Sequence, residues 1–444
     1  MKILIANYRY FVSSGPERYL FNIKKKLESV GHEVAPFSVR YARNEPTPYE
    51  KHFVSPLGAA DEVYFEQHKR SPRAFAKTLS RLFYAPDVEQ AVANLAGSFK
   101  PDVAYVLYYL RKLSPSLLTG LKKRGVPIVV RLSDYGMFCP EHHCLRDGHP
   151  CTLCIDGDLS NSVKHRCVKG SLAISALDAA ATLFHRKRGY FDLIDQFVTT
   201  NPFMTEMMIK AGYPASRLTC IPTFTDIDAF QPLIPKPEPP YIAFVGRLDP
   251  TKGVHVLLDA MIHLKQTRGA PPRLRIAGVE HNADYVASLK VQAERGGLQD
   301  LVEFLGPLPA HEVGGLMRGA QALIMPALWF ENLPNTIIES FACGTPVIAS
   351  DIGSLSRTIV DGENGLLAKT GDAVDLAAKI DTLMRDPKMA MRMARAARHA
   401  AETTYSPDRH LVLLEMLFHR FSNTKPADVA LKRPRKLAVG ESVT

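Results

Sequence analysis

No apolar run in this 444-residue chain reaches the roughly 18 residues that a bilayer crossing needs, and the stretch 171–184 is short and interrupted by Asp178. Lys2 follows Met1 and leads directly into a strand-like run over 3–6, leaving no room for the charged and apolar regions of a signal peptide. The expected location is therefore cytoplasmic. No internal repeat is evident, and only one CxxC, Cys151 and Cys154, occurs among the seven cysteines. Acidic residues are scarce in one half only: residues 1–220 hold 30 Lys plus Arg against 20 Asp plus Glu, while residues 221–444 hold 25 of each. The whole formal excess of +10 thus lies in the first half. It points to an anionic partner, such as a membrane leaflet or a lipid diphosphate, or simply to an enzyme of high isoelectric point. No recognised nucleic-acid motif accompanies the charge, so no nucleic-acid partner is expected.

An apolar fraction of 46% is that of a globular protein, and 444 residues exceed one ordinary core. Two domains with an added terminal element are expected. The most informative stretch is 326–354, PALWFENLPNTIIESFACGTPVIASDIGS. Pro334 suits a first helical position, the run 335–343 stops at Gly344, and 346–349 is apolar and β-branched, giving loop, short helix and buried strand. Glu331 and Glu339 bracket the turn into that helix. Eight helical steps would hold them roughly 12 Å apart, too far for a hydrolase acid pair, which needs roughly 5 to 9.5 Å. Such a span suits the two ends of one long ligand, and a nucleotide sugar is such a ligand. The plainer reading is a surface Glu and a helix-stabilising Glu.

Residues 326–353 resemble the signature of family 4 of the retaining glycosyltransferases. The resemblance rests on Glu331, seven intervening residues and Glu339, on Asn332, Leu333, Pro334 and Asn335, and on the exit Gly344 to Val347. It implies an α/β chain of the GT-B fold, two Rossmann-like doubly wound domains facing across a cleft, with a C-terminal helix crossing back to the first. It further implies a hexosyltransferase moving sugar from a nucleotide-diphosphate donor to an acceptor hydroxyl with retention, without a metal or other cofactor. By the same resemblance Glu331 orients the sugar and Glu339 holds the ribose. Arg247 with Lys252 stabilises the departing diphosphate, and Asn332, Leu333 and Pro334 belong to the donor site.

The first domain is expected over 1–222. It opens with a strand over 2–7, a helix over 16–30 and a strand over 33–37, with Gly15 placed where backbone can approach a phosphate or where it serves only the turn. The family usually shows two adjacent glycines where this chain has Ser14 and Gly15. Residues 66–83 alternate His68, Lys69, Arg70, Arg73, Lys77 and Arg81 with Phe75, Leu79, Leu82 and Phe83. We read this basic amphipathic run as a solvated helix face in preference to a membrane-surface helix. Strands are expected over 102–107 and 126–132, and the second delivers Asp134 to the acceptor side, the alternative being a helix cap. Relatives often carry His-Asp there and this chain carries Ser133-Asp134, which removes an imidazole from the site. Cys139, Cys144, Cys151, Cys154 and Cys167 then crowd into 29 residues with four histidines among them. A reduced packing cluster is preferred to a structural metal, because the spacings fit no standard finger. The helix beginning at Asn201 precedes a proline-rich linker over 223–240, in which Asp226-x-Asp228 is read as coincidence.

The second domain, 241–405, restarts with a strand over 241–245 followed by Gly246, Arg247, Lys252, Gly253 and a helix, an order that aims two cations and a helix N-terminus at one point. Gly278 and Gly306 follow later strands, where backbone can approach a nucleotide. One helical run over 372–403 and the crossover helix over 406–421 complete it, leaving a basic tail over 422–444. The expected partners are the nucleotide sugar, a sugar or lipid-linked acceptor and an anionic membrane surface. The rivals to a glycosyltransferase are a non-catalytic binder of sugar nucleotides and an epimerase or phosphorylase of the same fold.

Overall fold

The computed structural model describes residues 1–13, 15–59, 72–269 and 271–422. Its strands are β1 (Lys2–Asn7), β2 (Glu33–Phe37), β3 (Val103–Tyr108), β4 (Ile128–Arg131), β5 (Leu145–Arg146), β6 (His149–Pro150), β7 (Gln196–Thr199), β8 (Leu218–Cys220), β9 (Tyr241–Val245), β10 (Arg273–Ala277), β11 (Val302–Gly306), β12 (Leu323–Met325), β13 (Val347–Ser350) and β14 (Gly365–Ala368). Two six-stranded sheets result, ordered β2-β1-β3-β4-β7-β8 and β11-β10-β9-β12-β13-β14, with every pairing parallel. β5 and β6 form a small antiparallel hairpin apart from both. The central strands run as unbroken apolar segments because helices cover both faces: β9 and β13 are buried along their whole length.

The second sheet has the strand order of a dinucleotide-binding fold, and the chain reverses direction across the sheet between β9 and β12. The loops leaving those two strands therefore face each other. The first sheet reverses between β1 and β3. Each sheet carries a core on either face. One face of the first sheet, with Ile3, Ile5, Tyr105 and Val129, packs against Leu411, Leu414, Leu417 and Phe418. The C-terminal helix Pro407–His419, capped by Ser406 Oγ accepting from Arg409 N, thus returns to the first unit.

Several expectations need correction. The run 372–403 is two helices, Ala373–Arg385 and Pro387–Thr403, because Pro387 has no N–H to continue the first. A helix over Pro86–Phe99 was not anticipated, though it buries Val88, Val92, Leu95 and Phe99 at helical spacing. The basic run lies partly outside the described residues. Within the helix Pro72–Phe83, Arg81 is 1% exposed and pairs with Asp87 at 2.7 Å, and Lys77 Nζ donates to Ser55 Oγ and Pro56 O. Two of its cations therefore face the protein, so it is not a wholly solvated basic face. The linker is strapped down: Lys236 Nζ donates to Thr345 Oγ1 at 3.1 Å, and Arg398 Nη1 donates to Ile227 O and Phe230 O. Asp226 caps a turn through the N–H groups of Asp228 and Ala229. The basic tail falls on residues outside those described, apart from Ser422.

Candidate functional site

The turn after β9 is built by Asp249, whose Oδ1 accepts from Thr251 N at 3.0 Å while its carbonyl accepts from Lys252 N at 2.9 Å. Gly253 follows with φ +73, and a Cβ there would lie 1.8 Å from Pro326 O, so only glycine lets the β9 and β12 loops touch. Leu328 N donates to Thr251 O at 2.8 Å and locks the two loops together. That contact delivers Lys252 to Glu331. Lys252 Nζ lies 2.5 Å from Glu331 Oε1, and Trp329 Nε1 donates to the same oxygen at 2.7 Å. The ammonium also sits 5.3 Å from the Trp329 ring centroid. Glu331 is 6% exposed. Arg247 is exposed at the head of the same turn. Burial pushes the Asp249 carboxyl up, but the hydrogen bonds from Thr251 and the charges of Arg247 and His281 outweigh it and hold the group below its ordinary value.

The helix Asn335–Ala342 presents Glu339, which is 7% exposed and lies 3.4 Å from Arg18 Nη1 of the first unit. Burial pushes its carboxyl above the ordinary value, with Arg18 partly offsetting the rise. The helix begins only at Asn335, so half of the eight steps from Glu331 are loop and the helical estimate of their separation does not apply. Pro334 precedes the first turn as its cap position, with extended backbone, and so does not open the helix itself. Leu333 packs on the core of the second sheet. Asn332 joins the two units: its Nδ2 donates to Leu132 O at 3.3 Å, and Asn201 Nδ2 donates to its Oδ1 and carbonyl, each at 3.0 Å. Thr200 Oγ1 donates to the same Oδ1.

Gly15 starts the helix Gly15–Ser29, and a Cβ there would lie 3.3 Å from Asn335 Nδ2. Two helix N-termini therefore meet at the cleft, a region of positive potential. Gly278 must be glycine beside Gly246: a Cβ on Gly278 would lie 1.6 Å from Gly246 O.

Asp134 lies beyond β4, facing the second unit. Its Oδ1 accepts from Gly136 N at 2.8 Å, and its Oδ2 is 3.0 Å from His142 Nδ1. Burial pushes its carboxyl up, but the His142 ring and the Gly136 N–H outweigh this and leave it below its ordinary value. It closes a tight turn and caps no helix. Next to it Tyr135 Oη donates to Glu331 O at 2.9 Å. His142, from the cysteine-rich loop, thus brings an imidazole onto Asp134. His143 of that loop stands 5.7 Å from the Trp329 ring, centroid to centroid. Neither histidine was singled out from sequence, because nothing in the spacing shows that the loop folds back. The five cysteines, all free, line a common cavity.

Residues 226–400 match the family model described as glycosyl transferases group 1. The second unit is a group 1 glycosyl transferase domain. The D-inositol 3-phosphate glycosyltransferase of Stackebrandtia nassauensis is 34% identical over 171 residues, which cover 37% of this chain and 38% of that one. The chain thus spans well under half the length of that relative. Among solved structures, a sucrose-phosphate synthase from Thermosynechococcus elongatus superposes with a TM-score of 0.69 at 19% identity, covering 94% of this chain and 98% of that one. Anabaena Alr3699/HepE in complex with UDP gives 0.62 at 20% identity, covering 94% and 99%. These likenesses extend over both units, and the fold is GT-B as the sequence led us to expect. Within the group 1 domain fall Arg247, Gly246, Lys252, Gly278, Glu331, Asn332, Leu333, Pro334 and Glu339, whereas Gly15 and Asp134 lie outside it.

Proposed function

We propose that the protein transfers a hexose, with retention, from a nucleotide-diphosphate sugar to an acceptor hydroxyl. The observation that carries this reading is the Glu331 carboxylate gripped by Lys252 and Trp329 at the switch point of the second sheet, with Arg247 exposed beside it. In the reaction the bond from the sugar's anomeric carbon to the diphosphate oxygen breaks and a bond to the acceptor oxygen forms. The acceptor proton ends on the diphosphate. Arg247 and Lys252 stabilise the charge that develops on the leaving group, so that fixed cations serve where another enzyme uses a metal. Glu331 orients the sugar, and Glu339, in the helix beyond, takes the ribose hydroxyls. UDP in the Anabaena neighbour supports a nucleotide donor for this fold.

The acceptor side is the first unit, with Asp134 and its His142 partner at the cleft. The basic excess of residues 1–220 favours an acceptor that carries phosphate or sits in an anionic leaflet, and hence work at the inner face of a membrane in making cell-surface polysaccharide or glycolipid. Among the described residues no helix is long and apolar enough to cross a membrane.

A panel of uridine, guanosine and adenosine diphosphate sugars, screened first for thermal stabilisation and then for nucleotide release with sugar and lipid-linked acceptors, tests the reading. Stabilisation by one donor with acceptor-dependent release of its nucleotide is the expected result. Binding without turnover on any acceptor leaves a non-catalytic binder, and no binding at all overturns the site.

A further inference from the structure

Residues 139–167 make a loop with almost no core of its own. Its elements are the hairpin β5–β6 and two short helices, Leu153–Asp156 and Ser160–Lys164. His142, Cys144, Asp147 and Arg166 all hold φ between 49 and 75, where non-glycine residues are uncommon. Backbone of that kind persists only where its surroundings over-determine it. Yet the loop carries His142 onto Asp134 and His143 onto Trp329 of the second unit. Something fixes it.

The thiols of Cys139, Cys144, Cys151, Cys154 and Cys167 line one cavity of about 20 Å³, and none is in a disulfide. That volume admits a single water or ion. Among the described residues no three His, Cys, Asp or Glu side chains hold a metal as they stand. Occupation therefore requires the thiols to turn toward the cavity centre.

We propose that the loop is a structural zinc centre, in which four of these five cysteines bind one Zn²⁺ tetrahedrally and thereby hold His142 on Asp134 and His143 against Trp329. An all-sulfur, closed tetrahedral set selects zinc as a structural ion. Binding converts the four ligating thiols to thiolates and releases their protons to solvent, with no change of oxidation state. The ion takes no part in glycosyl transfer, and the centre stands whether or not the proposed donor chemistry does.

The test uses the full chain, purified reduced, with metal measured by atomic emission. One zinc per chain is expected. Exchange for cobalt should give strong thiolate-to-cobalt absorption and the intense visible bands of a tetrahedral site. The double variant Cys151→Ser, Cys154→Ser leaves only three of the five thiols and should lose both the zinc and the cobalt bands, while Cys343→Ser, outside the loop, keeps them. If the double variant fails to fold, reconstitution of the intact chain with zinc followed by gel filtration decides. A reduced, reconstituted chain that retains no zinc, iron with acid-labile sulfide in its place, or full zinc in the folded double variant would overturn the proposal.

Discussion

Tyr19 and His410, 391 positions apart, share a hydrogen bond of 2.8 Å between the hydroxyl and Nε2. His410 Nδ1 is 2.7 Å from Pro222 O and so carries the ring proton, while Tyr105 Oη lies 2.7 Å from Tyr19 Oη on the other side. Both ring nitrogens are thus used, and the imidazole pins the returning helix to the first sheet.

Burial lowers the His410 pKa from 6.5 to about 3. Between those values the unfolded chain binds a proton that the folded chain refuses, so this group's stabilisation is complete above about pH 6.5 and fades as the pH falls toward 3. Urea unfolding from pH 4 to 7 should show stability rising with pH, by a slope that His410→Phe reduces. An unchanged slope would show that the ring is already charged in the fold.

Arg247→Ala and Lys252→Ala should both cut turnover by about 100-fold or more, since each removes a charge from the leaving group, but only one should disturb the fold. Arg247 is exposed, and its loss leaves the melting temperature unchanged. Lys252 is the partner of a buried carboxylate, and stranding Glu331 costs on the order of 3 kcal/mol. Kinetics and calorimetry on the two variants, side by side, check the contrast.

Transfer should persist in excess chelator, and added magnesium or manganese should not raise it. Rate measurements over minutes in chelator check this. Restoration by either ion would mean that Arg247 and Lys252 do not suffice for the diphosphate.

Arg18→Ala should move the pH dependence of donor binding. The Glu339 carboxyl is raised by burial and lowered by Arg18, so removing the guanidinium raises it further. Donor affinity, which needs the carboxylate, should then begin to fail at a higher pH on the acid side. Affinity titrations across pH 5 to 8 read the shift directly, and coincident profiles would detach Glu339 from the donor.

Much of this was legible in the chain. Parallel strands buried on both faces spell unbroken apolar runs, and Gly344 at φ +62 and the Asn201 cap mark helix ends by local chemistry. Lys252 and Glu331 were both named from motifs, although their contact depends on two loops meeting at Gly253, which no local pattern encodes. His142 was illegible for the same reason. It lies eight residues beyond Asp134 in a loop whose five cysteines gather at one cavity, and no local pattern encodes that return. The charge pattern of the helix Pro72–Phe83 misled because periodicity shows that cations share a face and not whether that face meets water. Arg81 meets Asp87 instead. Asn332 was assigned to the ligand from its neighbours in the motif, while its side chain ties the two units together.

The helix Pro407–His419 also orders events during synthesis. It seals the face formed by Ile3, Ile5 and Tyr105, so the first half of the chain leaves the ribosome with an apolar surface that stays uncovered until the whole group 1 domain has been made. A nascent chain stalled anywhere before residue 407 would present that surface to chaperones. Only a chain stalled after residue 368 would, by contrast, already have all the strands of its second sheet.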